Sequence, residues 1–154
     1  MALNNILNFL RLEDRLCCGG QPTPPQFEDA ARAGIEVVIN LALPTSDNAL
    51  PNEPELVRAL GMEHVHIPVV WEAPQPADLE QFMNTMDAHA GKHILVHCAM
   101  NYRATAFIGL WRVLGQGWNI EQAFAPQRTL WNLADYPVWE AFVQTMLTNH
   151  LRTP

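Results

Sequence analysis

A chain of 154 residues that is 49% hydrophobic is long enough for one domain with a substantial core. Its formal net charge of −7, with 9 Lys and Arg against 16 Asp and Glu, argues against a nucleic-acid-binding surface. No apolar run approaches the ~18 residues a membrane span needs, and no charged segment followed by an apolar core marks a signal peptide at the N-terminus.

Three cysteines, two of them adjacent at Cys17-Cys18, make no disulfide framework and fit a reducing cytoplasm. His64 and His66 alternate along a strand pattern, and Cys17-Cys18 has no nearby partners, so neither a metal site nor a cofactor is expected. No internal repeat or low-complexity linker divides the chain.

In chain order, Asn4 to Arg15 is ambiguous, read as a short helical turn leading into a strand at Leu16 to Cys18. Gly19-Gly20-Gln21-Pro22 breaks the chain. Thr23-Pro24-Pro25-Gln26 then predicts a helix start: Thr23 can cap, Pro24 suits the first position, and Gln26 completes a capping box. That helix turns Phe27, Ala30 and Ala31 inward and stops at Gly34, and the apolar, β-branched run Ile35 to Leu41 reads as a buried strand. Gln21 and Asn40 fall where turn and strand-edge roles are expected.

A broken loop, 42–52, leads to a helix from Glu53 to Leu60, closed by Gly61. Met62 to Val70 predicts another strand of a parallel sheet, with Pro68 marking an edge or the strand's end. After the rigid loop Trp71-Glu72-Ala73-Pro74-Gln75-Pro76, the spacing of Leu79, Phe82, Met83 and Met86 predicts a helix over 77–90. The run ending Ile94-Leu95-Val96 is a short buried strand, and from Ala104 the stripe Phe107, Leu110, Trp111 and Leu114 predicts a helix ending at Gly115. Asn119 to Gln122 reads as a further capping box, opening a short helix that ends before Pro126. Arg128 to Asp135 reads as a loop, and a last helix starts near Pro137 with Val138, Ala141, Phe142, Thr145 and Met146 inward. Strands alternating with helices predict an α/β fold, a central, mostly parallel sheet with helices on both faces.

The chemistry concentrates in His97-Cys98-Ala99-Met100-Asn101-Tyr102-Arg103-Ala104-Thr105. A cysteine stands where a strand runs out and an arginine where a helix begins. A helix start presents unpaired N–H groups and the positive end of the dipole, an environment that favours a thiolate and binds oxyanions.

His97-Cys98 followed by Arg103 resembles the signature of the cysteine-dependent protein tyrosine phosphatase superfamily, in which His-Cys is followed by five residues, Arg, and Ser or Thr. Only four residues, Ala99 to Tyr102, intervene here, and the glycine usual in that loop is missing. Thr105 keeps the family's Ser/Thr distance from Cys98, with Ala104 at the arginine's usual place. Either the loop has lost a residue, or its length is kept and the arginine has moved back by one. The stretch Gly19-Gly20-Gln21-Pro22-Thr23, with Gly34-Ile35-Glu36-Val37-Val38-Ile39-Asn40-Leu41, is similar to the opening of a bacterial branch of that superfamily.

The resemblance implies a phosphatase-like fold and a phosphorylated small molecule or protein as substrate. It implies Cys98 as nucleophile, with His97 orienting it. Ala99, Met100, Asn101, Tyr102 and Arg103 would bind the phosphoryl group, Thr105 would assist the departing thiolate, and a loop carboxylate, here Glu72, would serve as general acid. Two alternatives stand beside turnover: a phosphatase-like domain that binds an anion or phosphorylated partner without hydrolysis, and a sulfur-transferring enzyme using a persulfide on Cys98. Trp71, Tyr102 and Trp131 are candidates for an aromatic rim, whereas Trp111 and Trp139 read as core.

Overall fold

The computed structural model describes residues 2–152, with side chains over 3–150. Five short strands, β1 (Leu10–Glu13), β2 (Leu16–Gly19), β3 (Val37–Asn40), β4 (Glu63–His66) and β5 (Ile94–His97), form one sheet in the order β1-β2-β5-β3-β4. β1 runs antiparallel to β2, and every other pairing is parallel. The apolar strand β5 lies at the centre, buried along its whole length. Gly19 and Asn40 both pair with His97, so three strands end level and Cys98 leaves the sheet at its carboxyl edge.

Side chains alternate across a strand, so each central strand feeds two cores. Cys18, Val37, Ile39, Ile94 and Val96 face one side. Against them pack α3 (Pro76–Ala88), α4 (Tyr102–Leu114) and α7 (Pro137–Arg152), with the short helices α5 (Ile120–Ala123) and α6 (Ala125–Leu130). Cys17, Val38 and Leu95 face the other side, under α1 (Pro24–Arg32), α2 (Glu53–Ala59) and the N-terminal 3-10 turn Ala2–Asn5. Helices therefore cover both faces, as expected. α4 is sandwiched so completely that its residues from Arg103 to Leu110 are all buried. Phe107 is fully enclosed against Phe82, Trp139 and Phe142, a burial that contributes about 1.5–3 kcal/mol. Among the described residues, no helix is long and apolar enough to cross a membrane.

The capping box at α1 forms: Thr23 Oγ1 accepts from the Gln26 N–H at 3.4 Å, and the Thr23 N–H donates to Gln26 Oε1 at 2.9 Å. Several expectations are corrected. The ambiguous stretch before Leu16 holds an extra strand, β1, paired to β2 with an irregular register. The predicted strand over 62–70 is only β4, an edge strand, and Pro68 lies beyond it. Asn119 caps α5 through the Gln122 N–H at 2.8 Å. That helix ends at Ala123, before Pro126 as expected, and Pro126 then stands in the first turn of a further helix, α6, where its missing N–H would have no partner. The expected loop from Arg128 is thus partly helical and continues into the 3-10 turn Leu133–Asp135. On α7 the buried stripe is Trp139, Phe142 and Val143 with Met146 half-buried, while Val138, Ala141 and Thr145 are exposed. The larger indole of Trp139 takes the inward position and turns Val138 out.

Candidate active site

α4 begins at Tyr102, two residues earlier than its apolar stripe suggested. Its N-cap, Asn101, is left-handed (φ 71°, ψ 8°), a conformation glycine ordinarily supplies and asparagine tolerates. The connection from β5 to α4 is therefore only Cys98 to Asn101. It is tied to the N-terminal segment by a reciprocal pair: Asn101 Nδ2 donates to the Asn8 carbonyl at 2.8 Å, and Asn8 Nδ2 donates to the Met100 carbonyl at 3.0 Å.

The other loop carbonyls are also held. His97 Nδ1 lies 3.2 Å from the Cys98 carbonyl, and the Ala99 carbonyl accepts from the Gln21 N–H and from Asn48 Nδ2, each at 3.1 Å. A trans peptide points its C=O and N–H in opposite directions, so tying a carbonyl back turns the following amide forward. Ala99 and Met100 amides are turned this way. Together with those of Tyr102 and Arg103 at the helix start, they have no protein acceptor among the described residues. Unpaired donors grouped at a helix N-terminus are an arrangement that can hold an anion. The close approach depends on Gly20, where a Cβ would stand 2.7 Å from the Ala99 carbonyl oxygen.

In front of this loop lies a cavity of about 250 Å³. Cys98, Ala99, Met100, Tyr102 and Arg103 form one wall, and Trp71 and Tyr136 form the other. Cys98 is 1% exposed, at the cavity's inner end. Arg103, not Ala104, reaches the cavity, and its Nη1 donates to the Val69 carbonyl at 2.8 Å. Among the described residues it is the only charged one on the wall. Burial pushes the other two thiols, Cys17 and Cys18, up to about 12, the latter despite a hydrogen bond with Asn101. They stay protonated at neutral pH.

The predicted aromatic rim forms, with a difference. Trp71 and Tyr102 face the cavity, while Trp131 is buried behind Tyr102, stacked at 5.1 Å and 7°. Trp139 joins the group from the core: it stacks on Trp71 at 5.2 Å and donates Nε1–H to the Trp71 carbonyl at 2.7 Å. Trp111 is half-buried, its indole N–H 3.3 Å from Asp87.

Thr105 is buried, its hydroxyl 2.8 Å from the Asn101 carbonyl and 3.0 Å from that of Tyr102, and it accepts from Trp131 Nε1 at 3.0 Å. Glu72 is exposed on the turn after Val70 and is not part of the cavity wall. Asp78 closes onto the Gln75 N–H at the start of α3. Behind the loop the structure adds residues the sequence did not single out for function. Glu53, 2% exposed, accepts from His64 Nε2, His97 Nε2 and Gln21 Nε2. Gln21 therefore joins the site's support rather than only shaping a turn. Asn8 and Asn48, polar residues in irregular segments, carry no periodic signal by which they could have been found. No group of residues that could hold a metal ion occurs among the described residues.

Comparison with known proteins agrees with this fold. Residues 5–137 match the family PTP-NADK, described as DSP-PTPase phosphatase fused to NAD+ kinase. A DUF442 protein of Shewanella putrefaciens CN-32, crystallised as a candidate phosphatase, is 40% identical with a TM-score of 0.85, covering 96% of each chain. The Beta-lactamase hydrolase-like protein of Xylella fastidiosa is 28% identical over 114 residues. That match takes in 70% of this chain but 26% of the relative, so the chain spans about a quarter of that protein's length. Pseudomonas aeruginosa TpbA, in a structure complexed with phosphotyrosine, shares the fold at a TM-score of 0.71 and 15% identity, over 96% of this chain and 92% of that one. With the match extending from the N-terminal turn to the start of the last helix, the chain belongs to the PTP-NADK family of DSP-PTPase phosphatase domains.

Proposed function

We propose that the protein hydrolyses a phosphomonoester through a cysteinyl-phosphate on Cys98. The observation that carries this reading is the meeting of Cys98, Arg103 and the forward-turned loop amides at one cavity. The Cys98 sulfur attacks phosphorus, an S–P bond forms, and the P–O bond to the leaving group breaks. The leaving oxygen takes a proton from Glu72. Water then attacks phosphorus, the S–P bond breaks with its electron pair returning to sulfur, and the proton lost by water returns to the carboxylate. Amides of Ala99, Met100, Tyr102 and Arg103 and the guanidinium stabilise the equatorial oxygens.

Two roles carry conditions. Glu72 is exposed, so delivery of its proton requires the Trp71-Glu72 turn to fold over bound substrate. Thr105 is engaged with two helix carbonyls and an indole, and in this reading it holds the first turn of α4. Help to the departing thiolate would require it to leave those partners.

A second reading, an anion-binding domain without turnover, draws on the Arg103 contact to Val69 and on the lack of a carboxylate on the cavity wall. Turnover of a simple aryl phosphate by the parent protein and by Arg103→Lys separates the two. A phosphatase loses most of its rate in the variant, because a point charge cannot replace the planar two-pronged contact. A protein with no rate that binds phosphate, more weakly as Arg103→Lys, is a binding domain. Persulfide formed on Cys98 from thiosulfate, with no phosphate ester cleaved, would indicate sulfur transfer.

A further inference from the structure

We propose that Glu53 is a positioning residue of this site: held by His64 and Gln21, it fixes His97 as an imidazolium that orients the Cys98 peptide and sets a positive charge behind the nucleophile. This deepens the reading of Cys98 as the reacting group and rests on it.

Glu53 opens α2, where a glutamate normally faces water and gains from the helix dipole, as its exposed neighbour Glu55 does. Glu53 instead turns inward and is almost wholly enclosed. A buried carboxylate is destabilising unless its lone pairs are filled. Here they are filled from three separate segments. Oε2 accepts from His64 Nε2 on β4 and from His97 Nε2 at the end of β5, both at 2.8 Å, and Oε1 accepts from Gln21 Nε2 at 2.7 Å. Burial alone would raise its proton affinity, yet the hydrogen bonds from His64, His97 and Gln21 and the charge of His97 hold the carboxyl well below the ordinary range.

The state of His97 follows from what its two nitrogens meet. Nε2 faces a carboxylate and Nδ1 faces the Cys98 carbonyl, 3.2 Å away. A carboxylate and a carbonyl only accept, so both nitrogens must donate, and the ring carries both protons. His64 needs one proton, on Nε2, to meet Glu53. The Phe27 ring edge packs on His97 at 5.9 Å, and His97 is 0% exposed. The titratable group that meets the ring is thus Glu53, with His64 across the shared oxygen and His66 one ring further, 6.3 Å from His64.

Two consequences reach the cavity. The Nδ1–H bond draws the Cys98 carbonyl back and so turns the Ala99 amide forward into the cradle. The imidazolium also lies one residue from the thiol, where a cation favours the thiolate. A plain structural staple between α2 and the sheet would predict neither.

Two measurements decide this. In the wild-type protein, long-range proton–nitrogen NMR of the His97 ring should show protons on both nitrogens at pH 7, and a neutral ring overturns the proposal without any variant being made. In Glu53→Gln, which keeps an acceptor and the shape but removes the charge, iodoacetamide labelling of Cys98 at pH 7 should slow about tenfold, with the rate–pH curve displaced to higher pH. A folded Glu53→Gln with an unmoved curve also overturns it. If the variant does not fold, the NMR result decides alone. Neither readout requires turnover, so a protein that hydrolyses nothing but shows the imidazolium and the displaced curve loses the phosphatase reading and keeps this one.

Discussion

Asn101 bears both the shape of the loop and its attachment, and two substitutions separate these contributions. Either Asn101→Gly or Asn101→Ala removes the donor to the Asn8 carbonyl, a bond of 2.8 Å whose loss costs about 1 kcal/mol. Beyond Cβ the side chain is lost equally in both. What differs is the backbone. At φ 71° alanine carries a left-handed penalty of about 1–2 kcal/mol, partly offset because glycine loses more chain entropy on folding. Asn101→Gly should therefore lose about 1 kcal/mol and Asn101→Ala about 2 kcal/mol, measured as urea-denaturation midpoints converted with a common slope. Turnover should follow the same order, since a relaxed Asn101 moves the Met100 and Tyr102 amides. Equal midpoints for the two variants, or a more stable alanine variant, would refute the claim that the left-handed cap substitutes for a loop glycine.

Other outcomes follow from the same contacts. Alkylation at pH 7 with peptide mapping should label Cys98 ahead of Cys17 and Cys18, whose thiols burial holds protonated; preferential labelling of either would count against the site. Thr23→Ala should lower stability by about 1 kcal/mol through loss of the cap while leaving turnover intact, and an unchanged denaturation midpoint would mean that α1 does not depend on it. Glu53 has a folded-state proton affinity below its unfolded value, so its stabilisation is complete above the unfolded carboxylate pKa of about 4.3 and is lost as pH falls below it. Stability should accordingly hold from pH 7 to about 5 and drop steeply under about pH 4, with a shallower drop in Glu53→Gln.

What could be read from the sequence was local. The cap Thr23 with Gln26, the apolar run of β5 and the position of Cys98 at its end each depend on residues a few places apart, and each is found in the structure. β1 was hidden because its alternation, Leu10-Arg11-Leu12-Glu13, runs for only four residues at a half-exposed edge, too short a signal to separate a strand from a turn. The face of α7 was misassigned by one position because Val138 and Trp139 are both apolar and only packing against Trp71 and Phe107 decides between them. In the sequence Glu53 marks only the start of a helix. Its burial depends on donors from positions 21, 64 and 97, brought together only when α2, β4 and β5 assemble. The spacing of Arg103 likewise does not say where its side chain lies; the start of α4 at Tyr102 brings it to the cavity wall.

The central claim is that Cys98 forms a covalent bond to phosphorus in a cradle completed by Arg103. Rapid quench of a single turnover with a radiolabelled aryl phosphate, followed by peptide mapping, tests it directly. Transient label is expected on the peptide carrying Cys98, absent in Cys98→Ser and strongly reduced in Arg103→Lys. Product release with no label on Cys98, or an undiminished rate in Cys98→Ser, would contradict it.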